Sequence, residues 1–173
     1  EIIAAGADID LSATLISEVG DGSAQRLVLS SGQTGYDGRI QVAFGGTLHQ
    51  KVHEVAGFHN HLENKDDPLD VQYGPSHDVN LVEGGLLHGL IGKDRVAVNS
   101  LHAQGVARLA EGVSIEAVAD DGLIEAFRVD DADTFALAVQ WHPEWQVMED
   151  DFSTAIFRAF GDACRQRAKQ RQV

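Results

Sequence analysis

The chain has 173 residues, the size of one domain, and sets 13 Lys and Arg against 27 Asp and Glu for a formal net charge of -14. That surplus of negative charge repels phosphate backbones and anionic lipid, which excludes nucleic acid and membrane surfaces as expected partners. Hydrophobic residues at 43% are too many for a disordered chain, and one cysteine leaves neither an internal disulfide nor a thiolate zinc set, so a reducing cytoplasm is expected. No apolar run reaches the roughly 20 residues of a membrane helix, and no signal segment is expected. A first residue of Glu rather than Met suggests a fragment or processed chain.

In chain order, Ile2 to Ala5 and Arg26 to Leu29 read as short strands with a helix between Asp10 and Val19, while Ser30 to Gly38 follows no periodic pattern. His59 to Tyr73 is polar, carries Pro68 and lacks periodicity, which predicts a long loop near a binding site. Strands are predicted at His77 to Val82, Arg95 to Asn99, Val113 to Ala119, Leu123 to Val129 and Phe135 to Trp141. Asp120-Asp121-Gly122 forms a tight hairpin turn between two of them. The last strand is nearly all apolar, which predicts a central position with helices above and below in an α/β layered fold.

Acidic Glu149-Asp150-Asp151 then opens a helix from about Asp151 to Gln170 that ends in Arg165, Arg167, Lys169 and Arg171. Phe152, Ile156, Phe160 and Cys164 recur every fourth residue, so they share the buried face, and Cys164 reads as an inert packing thiol. With no internal repeat or low-complexity linker, residues 1–173 are expected to form a single domain.

The residues that best suit chemistry lie at Trp141-His142-Pro143-Glu144, where the apolar strand ends. Ligands of open α/β sheets bind beyond the carboxyl ends of strands. Glu144, two residues on, can hold one ring nitrogen of His142 and leave the other free as a base, although such a pair is more often structural.

Four ordered motifs add a resemblance: Val42 to Gln50 (VAFGGTLHQ), Val98 to Gln104 (VNSLHAQ), Asp121 to Ala126 (DGLIEA) and Ala138 to Glu144 (AVQWHPE). Together they resemble the gamma-glutamyl-gamma-aminobutyrate hydrolases of the class I glutamine amidotransferase superfamily, over about Val42 to Lys169. The resemblance implies a three-layer α/β fold with a mostly parallel, flavodoxin-like central sheet, whose N-terminal half is incomplete here because residues 1–41 match poorly. It also implies cleavage of gamma-glutamyl amides, most specifically gamma-glutamyl-gamma-aminobutyrate in putrescine breakdown, by a Cys-His-Glu thioester mechanism without metal or organic cofactor. By position His142 is the base and Glu144 its orienting carboxylate. Asn99, Ser100, His102 and Gln104 fall on a loop beside the active site; they either recognise the glutamyl amino and carboxylate groups or cap a strand end. The implied partner is a small gamma-glutamylated amine, and a homodimer is compatible with the family.

The family's nucleophile, a cysteine in a Cys-Arg-Gly turn before the Gly-Gly segment, is not found; ungapped counting puts Thr34 there. An internal threonine lacks the thiolate and the N-terminal amine that would activate it. Two accounts stay open. Either the triad has lost its nucleophile, or the elbow between Leu27 to Gly32 and Val42 is absent from the sequence, which the short length favours. The alternatives to a hydrolase are a non-catalytic binding or regulatory homologue and one subunit of a glutamine amidotransferase. Among eight histidines, His49 with His53 and His59 with His61 beside Glu63 have short spacings, but they fit surface or substrate-loop residues, and no metal is expected.

Overall fold

The structure is a computed structural model that describes residues 13–16, 26–29, 46–109, 111–132 and 135–170. A small antiparallel pair comes first, β1 (Ala13–Ile16) with β2 (Arg26–Leu29). The helix expected from Asp10 to Val19 is therefore corrected over its middle: Ala-Thr-Leu-Ile is a short apolar run with two β-branched residues, and its backbone pairs with β2 instead of with itself. The strand expected at Ile2 to Ala5, the aperiodic Ser30 to Gly38 stretch and Thr34 lie outside the described residues.

The main sheet contains β3 (Thr47–His49), β4 (His77–Leu81), β5 (Arg95–Val98), β6 (Gly105–Arg108), β7 (Val113–Ala119), β8 (Ile124–Val129) and β9 (Leu137–Val139). Its order is β3-β6-β8-β7-β4-β5, with β9 also on β8. Every described pairing is antiparallel, which corrects the expected mostly parallel sheet. The connections explain this. A parallel neighbour needs a crossover of about a dozen residues or more. Between β7 and β8 there are only residues 120–123, closed by a hydrogen bond from Gly122 N–H to the Ala119 carbonyl and by Gly122 at φ +91°, a value that favours glycine.

The 82–94 link is longer and contains α2 (Leu86–Ile91), yet it returns the chain antiparallel to β4. A four-residue α1 (Leu69–Gln72) interrupts the loop expected from His59 to Tyr73.

Helices α2 and α3 (Asp151–Gln170) pack together. Leu87, Phe152 and Ile156 meet Val79, Leu81, Val96, Val98, Leu137, Val139 and Trp141 in one apolar cluster. Each fully buried large side chain of this kind contributes about 1.5–3 kcal/mol. Among the described residues these two helices share that one cluster, so the expected helical cover above and below β9 is seen on one side only. The buried stripe of α3 also fades along the helix. Phe152 and Ile156 are buried, Phe160 and Cys164 only partly, so Cys164 sits at the edge of the core instead of inside it.

Asp150 starts α3 by accepting hydrogen bonds from the N–H groups of Phe152 and Ser153. Glu116 of β7 does the equivalent for α2. Its fully buried carboxylate accepts the Leu87 N–H at 2.9 Å and pairs with Arg128 at 3.0 Å. A Cβ on Gly85 would stand 2.7 Å from that carboxylate and 2.8 Å from the Val82 carbonyl, which is why the residue before α2 has no side chain.

Candidate active site

His142 follows β9, where the chain leaves the sheet for a run of turns that leads into α3. Two devices fix it. Asn99, just past β5, donates its side-chain N–H to the His142 carbonyl at 3.0 Å and accepts the His142 N–H at 2.7 Å, so one side-chain amide clamps both backbone polar groups of one residue. The ring is then held by Glu144, whose Oε1 lies 2.7 Å from Nδ1. A carboxylate only accepts, so Nδ1 carries the proton and Nε2 is left with the lone pair of a base.

The Glu144 carboxyl is pushed up by partial burial, but the hydrogen bonds from the His142 ring and from its own backbone N–H, with the charge attraction of the ring, together outweigh this and hold it below the ordinary glutamate value of 4.5. Its contribution to stability is thus complete above its unfolded value and is lost as pH falls through the lowered one. We expect a carbon NMR titration to place the Glu144 midpoint below 4.5, and His142→Ala to move it upward, because burial is then opposed only by the hydrogen bond from its own backbone N–H. An unchanged midpoint in the variant would show that the ring does not hold the carboxylate.

His142 borders a cavity of about 330 Å³. Tyr73 stands edge-on to the His142 ring at 5.5 Å and stacks on Trp145 at 4.6 Å, forming an aromatic wall. Gln146 beyond it takes φ +48°, a left-handed value that costs a non-glycine residue roughly 1–2 kcal/mol. Glu149 and Asp150 add negative charge to the lining, which among the described residues includes neither Lys nor Arg. The sequence had offered no reason to single out Tyr73 or Trp145. Tyr73 comes from the end of the 59–73 segment, so that loop does reach the cavity.

The four polar residues after β5 divide. Asn99 lines the cavity, with its amide engaged on His142. Ser100 and His102 are buried at 4% and 2% exposure in a second polar cluster and do not line the cavity. Gln104 reaches Gln50 at 2.6 Å.

In the second cluster the Ser100 hydroxyl donates to the His61 carbonyl, His61 Nε2 meets Asp121 at 2.8 Å, and His102 Nδ1 meets the Gln104 carbonyl at 2.8 Å. Glu125, fully buried on β8, lies among His61, His77 and His102. Burial pushes its carboxyl up, and the His102 and His77 imidazoles more than offset this, drawing it to about 2. Asp121 also comes to about 2: burial raises it, and the His59 N–H, the His61 ring and the Leu123 N–H lower it further. Burial holds His61 below the ordinary imidazole value.

The sequence motif Asp121 to Ala126 contains both acids, but spacing showed only its turn. His49 and His53 do not share a helix; one is on β3, packed on Phe58, and the other on a short 3-10 turn.

Residues 38–144 match the Peptidase C26 family. The chain is 42% identical over 134 residues to the gamma-glutamyl-gamma-aminobutyrate hydrolase PuuD of Escherichia coli (strain K12), covering 77% of this chain and 52% of that protein. It is 30% identical to a "putative glutamine amidotransferase" of Schizosaccharomyces pombe, over 78% of this chain and 50% of that one. The chain thus spans about half the length of the curated relatives it matches. Among solved structures, a putative GMP synthase subunit from Thermoplasma acidophilum superposes with a TM-score of 0.51 at 17% identity, over 75% of this chain and 54% of that one. That likeness supports a glutamine amidotransferase type of α/β fold. No helix among the described residues is long and apolar enough to cross a membrane.

Proposed function

Because this chain belongs to the Peptidase C26 family, a class I glutamine amidotransferase-like group, we propose that it hydrolyses gamma-glutamyl amides, with His142 as general acid and base. The observation that carries the reading is the 2.7 Å contact of His142 Nδ1 with Glu144 on the border of the cavity. Nε2 takes the proton of the group that attacks the amide carbonyl, Glu144 stabilises the imidazolium so formed, and the ring then returns the proton to the departing amine. Glu149 faces the substrate with negative charge, suited to the α-ammonium of the glutamyl group. Gamma-glutamyl-gamma-aminobutyrate is the proposed substrate, by likeness to the Escherichia coli relative, and the cell's cytoplasm the proposed compartment.

A sulfur nucleophile is the open part of this mechanism. Cys164, the chain's single cysteine, lies three turns beyond Ser153 on α3, about 16 Å along the axis, and does not reach His142. That observation favours one second reading, a homologue that binds the gamma-glutamyl group without cleaving it.

Calorimetry with gamma-glutamyl-gamma-aminobutyrate, run beside an assay of glutamate release, separates the two. Binding with release that survives Cys164→Ala supports the hydrolase; binding without release supports the second reading; absence of both overturns the site assignment.

A further inference from the structure

Glu125 and Glu116 are both fully buried, but only Glu116 has hydrogen-bond partners. Neither oxygen of Glu125 has one, and the Nε2 of His77 beside it is also without a partner. A buried unpaired carboxylate is costly, so the group facing it matters. Three imidazole nitrogens stand off its Oε1: His102 Nε2 at 3.4 Å, His61 Nδ1 at 3.5 Å and His77 Nε2 at 3.6 Å. A charge-assisted hydrogen bond would close to about 2.7–2.9 Å. Ligand atoms held about 2.0–2.1 Å from a tetrahedral ion stand instead roughly 3.4 Å apart. The observed nitrogen-to-oxygen distances match the second case.

The outer hydrogen bonds point the same way. His61 Nε2 faces the Asp121 carboxylate and His102 Nδ1 faces the Gln104 carbonyl, each at 2.8 Å. Those partners only accept, so the outer nitrogen of each ring carries a proton, and the inner nitrogens of His61 and His102 stand 3.2 and 3.4 Å from the Ser100 hydroxyl oxygen as well as facing Glu125. His77 Nε2 and both Glu125 oxygens have no hydrogen-bond partner, and a cation bound between them would satisfy all three buried atoms. A carboxylate behind an imidazole, as Asp121 stands behind His61, is the arrangement that orients metal-bound histidines.

We propose that His61, His77 and Glu125, whose ligand atoms lie within 4.8 Å of one another, form a buried site for a divalent transition metal of the zinc type, apart from the His142 cavity. Two imidazoles and a carboxylate suit zinc, whereas magnesium and calcium take oxygen ligands. His102 borders the site on the same oxygen. The bound ion fixes the 99–102 segment, which carries the Asn99 clamp. This inference does not depend on the proposed hydrolysis.

The test uses the untagged full chain, stripped with chelator and titrated with Co²⁺, then with competing Zn²⁺. One equivalent of Co²⁺ is expected to give the intense visible absorption of a low-coordinate nitrogen and oxygen site, which Zn²⁺ abolishes. Affinity should fall at least tenfold in His77→Gln and about 10- to 100-fold in Asp121→Asn, and stay unchanged in the paired surface variant His49→Ala, His53→Ala. His77 is partly exposed, so its substitution carries the test where Glu125→Gln fails to fold. Only weak octahedral-type absorption, or an unchanged affinity in folded His77→Gln, overturns the proposal.

Discussion

Glutamate release should fall at least about 10²-fold, toward the 10⁴-fold limit of general acid-base catalysis, when His142 is replaced by alanine. The variant should remain folded. The Asn99 clamp holds the His142 backbone, not its ring, and both of its hydrogen bonds survive the loss of the imidazole. Circular dichroism and urea midpoints close to those of the parent would therefore accompany the lost rate. Glu144→Gln should give a smaller loss, since the amide oxygen still accepts from Nδ1 but no longer offsets the imidazolium charge. Equal rates in the parent and His142→Ala would remove the ring from the chemistry.

Asn99→Ala is the second large expectation, and it affects stability and rate together. It leaves the buried N–H and carbonyl of His142 without partners, at about 1–3 kcal/mol for each group. Freed from the β5 end, the imidazole also drifts from its place at the cavity. A displacement of about 1 Å is enough for a loss near 10²-fold in rate. Asn99→Asp separates the two bonds, because the carboxylate still accepts from the His142 N–H but places an acceptor against the carbonyl at 3.0 Å. Its urea midpoint should fall between those of the parent and Asn99→Ala. A parental rate and midpoint in Asn99→Ala would mean that the clamp holds nothing.

Features set by neighbouring residues could be read from the sequence. Strand β7 runs from Val113 to Ala119 and α3 from Asp151 to Gln170, as expected, because a β-branched run before an Asp-Gly turn and an acid-capped amphipathic stretch are local patterns. The separation of two residues between His142 and Glu144 is equally local. Strand direction is not. Apolar Phe135 to Trp141 suggested a central strand with helices on both faces, and the family resemblance a mostly parallel sheet, but Leu137 and Val139 are apolar because they face α2 and α3, and the pairing of β9 with β8 is antiparallel.

Contacts between distant positions were also hidden. Asn99 and His142 are 43 residues apart, and His61 and Asp121 are 60 apart. The family resemblance places Ser100 and His102 on a loop beside the active site, yet their side chains turn into the Glu125 cluster. At Ala13 to Ile16 local spacing favoured a helix, and pairing with β2 prevailed.

The central claim is that the His142 ring, proton held on the Glu144 side, meets a gamma-glutamyl amide at Nε2. Nitrogen NMR of the histidine side chains during titration with gamma-glutamyl-gamma-aminobutyrate tests it most directly, with or without turnover. The account predicts a saturable shift at Nε2 of His142 while the rings of His49 and His53 stay still. A His142 signal that ignores saturating ligand, or moves no more than those two, would contradict it.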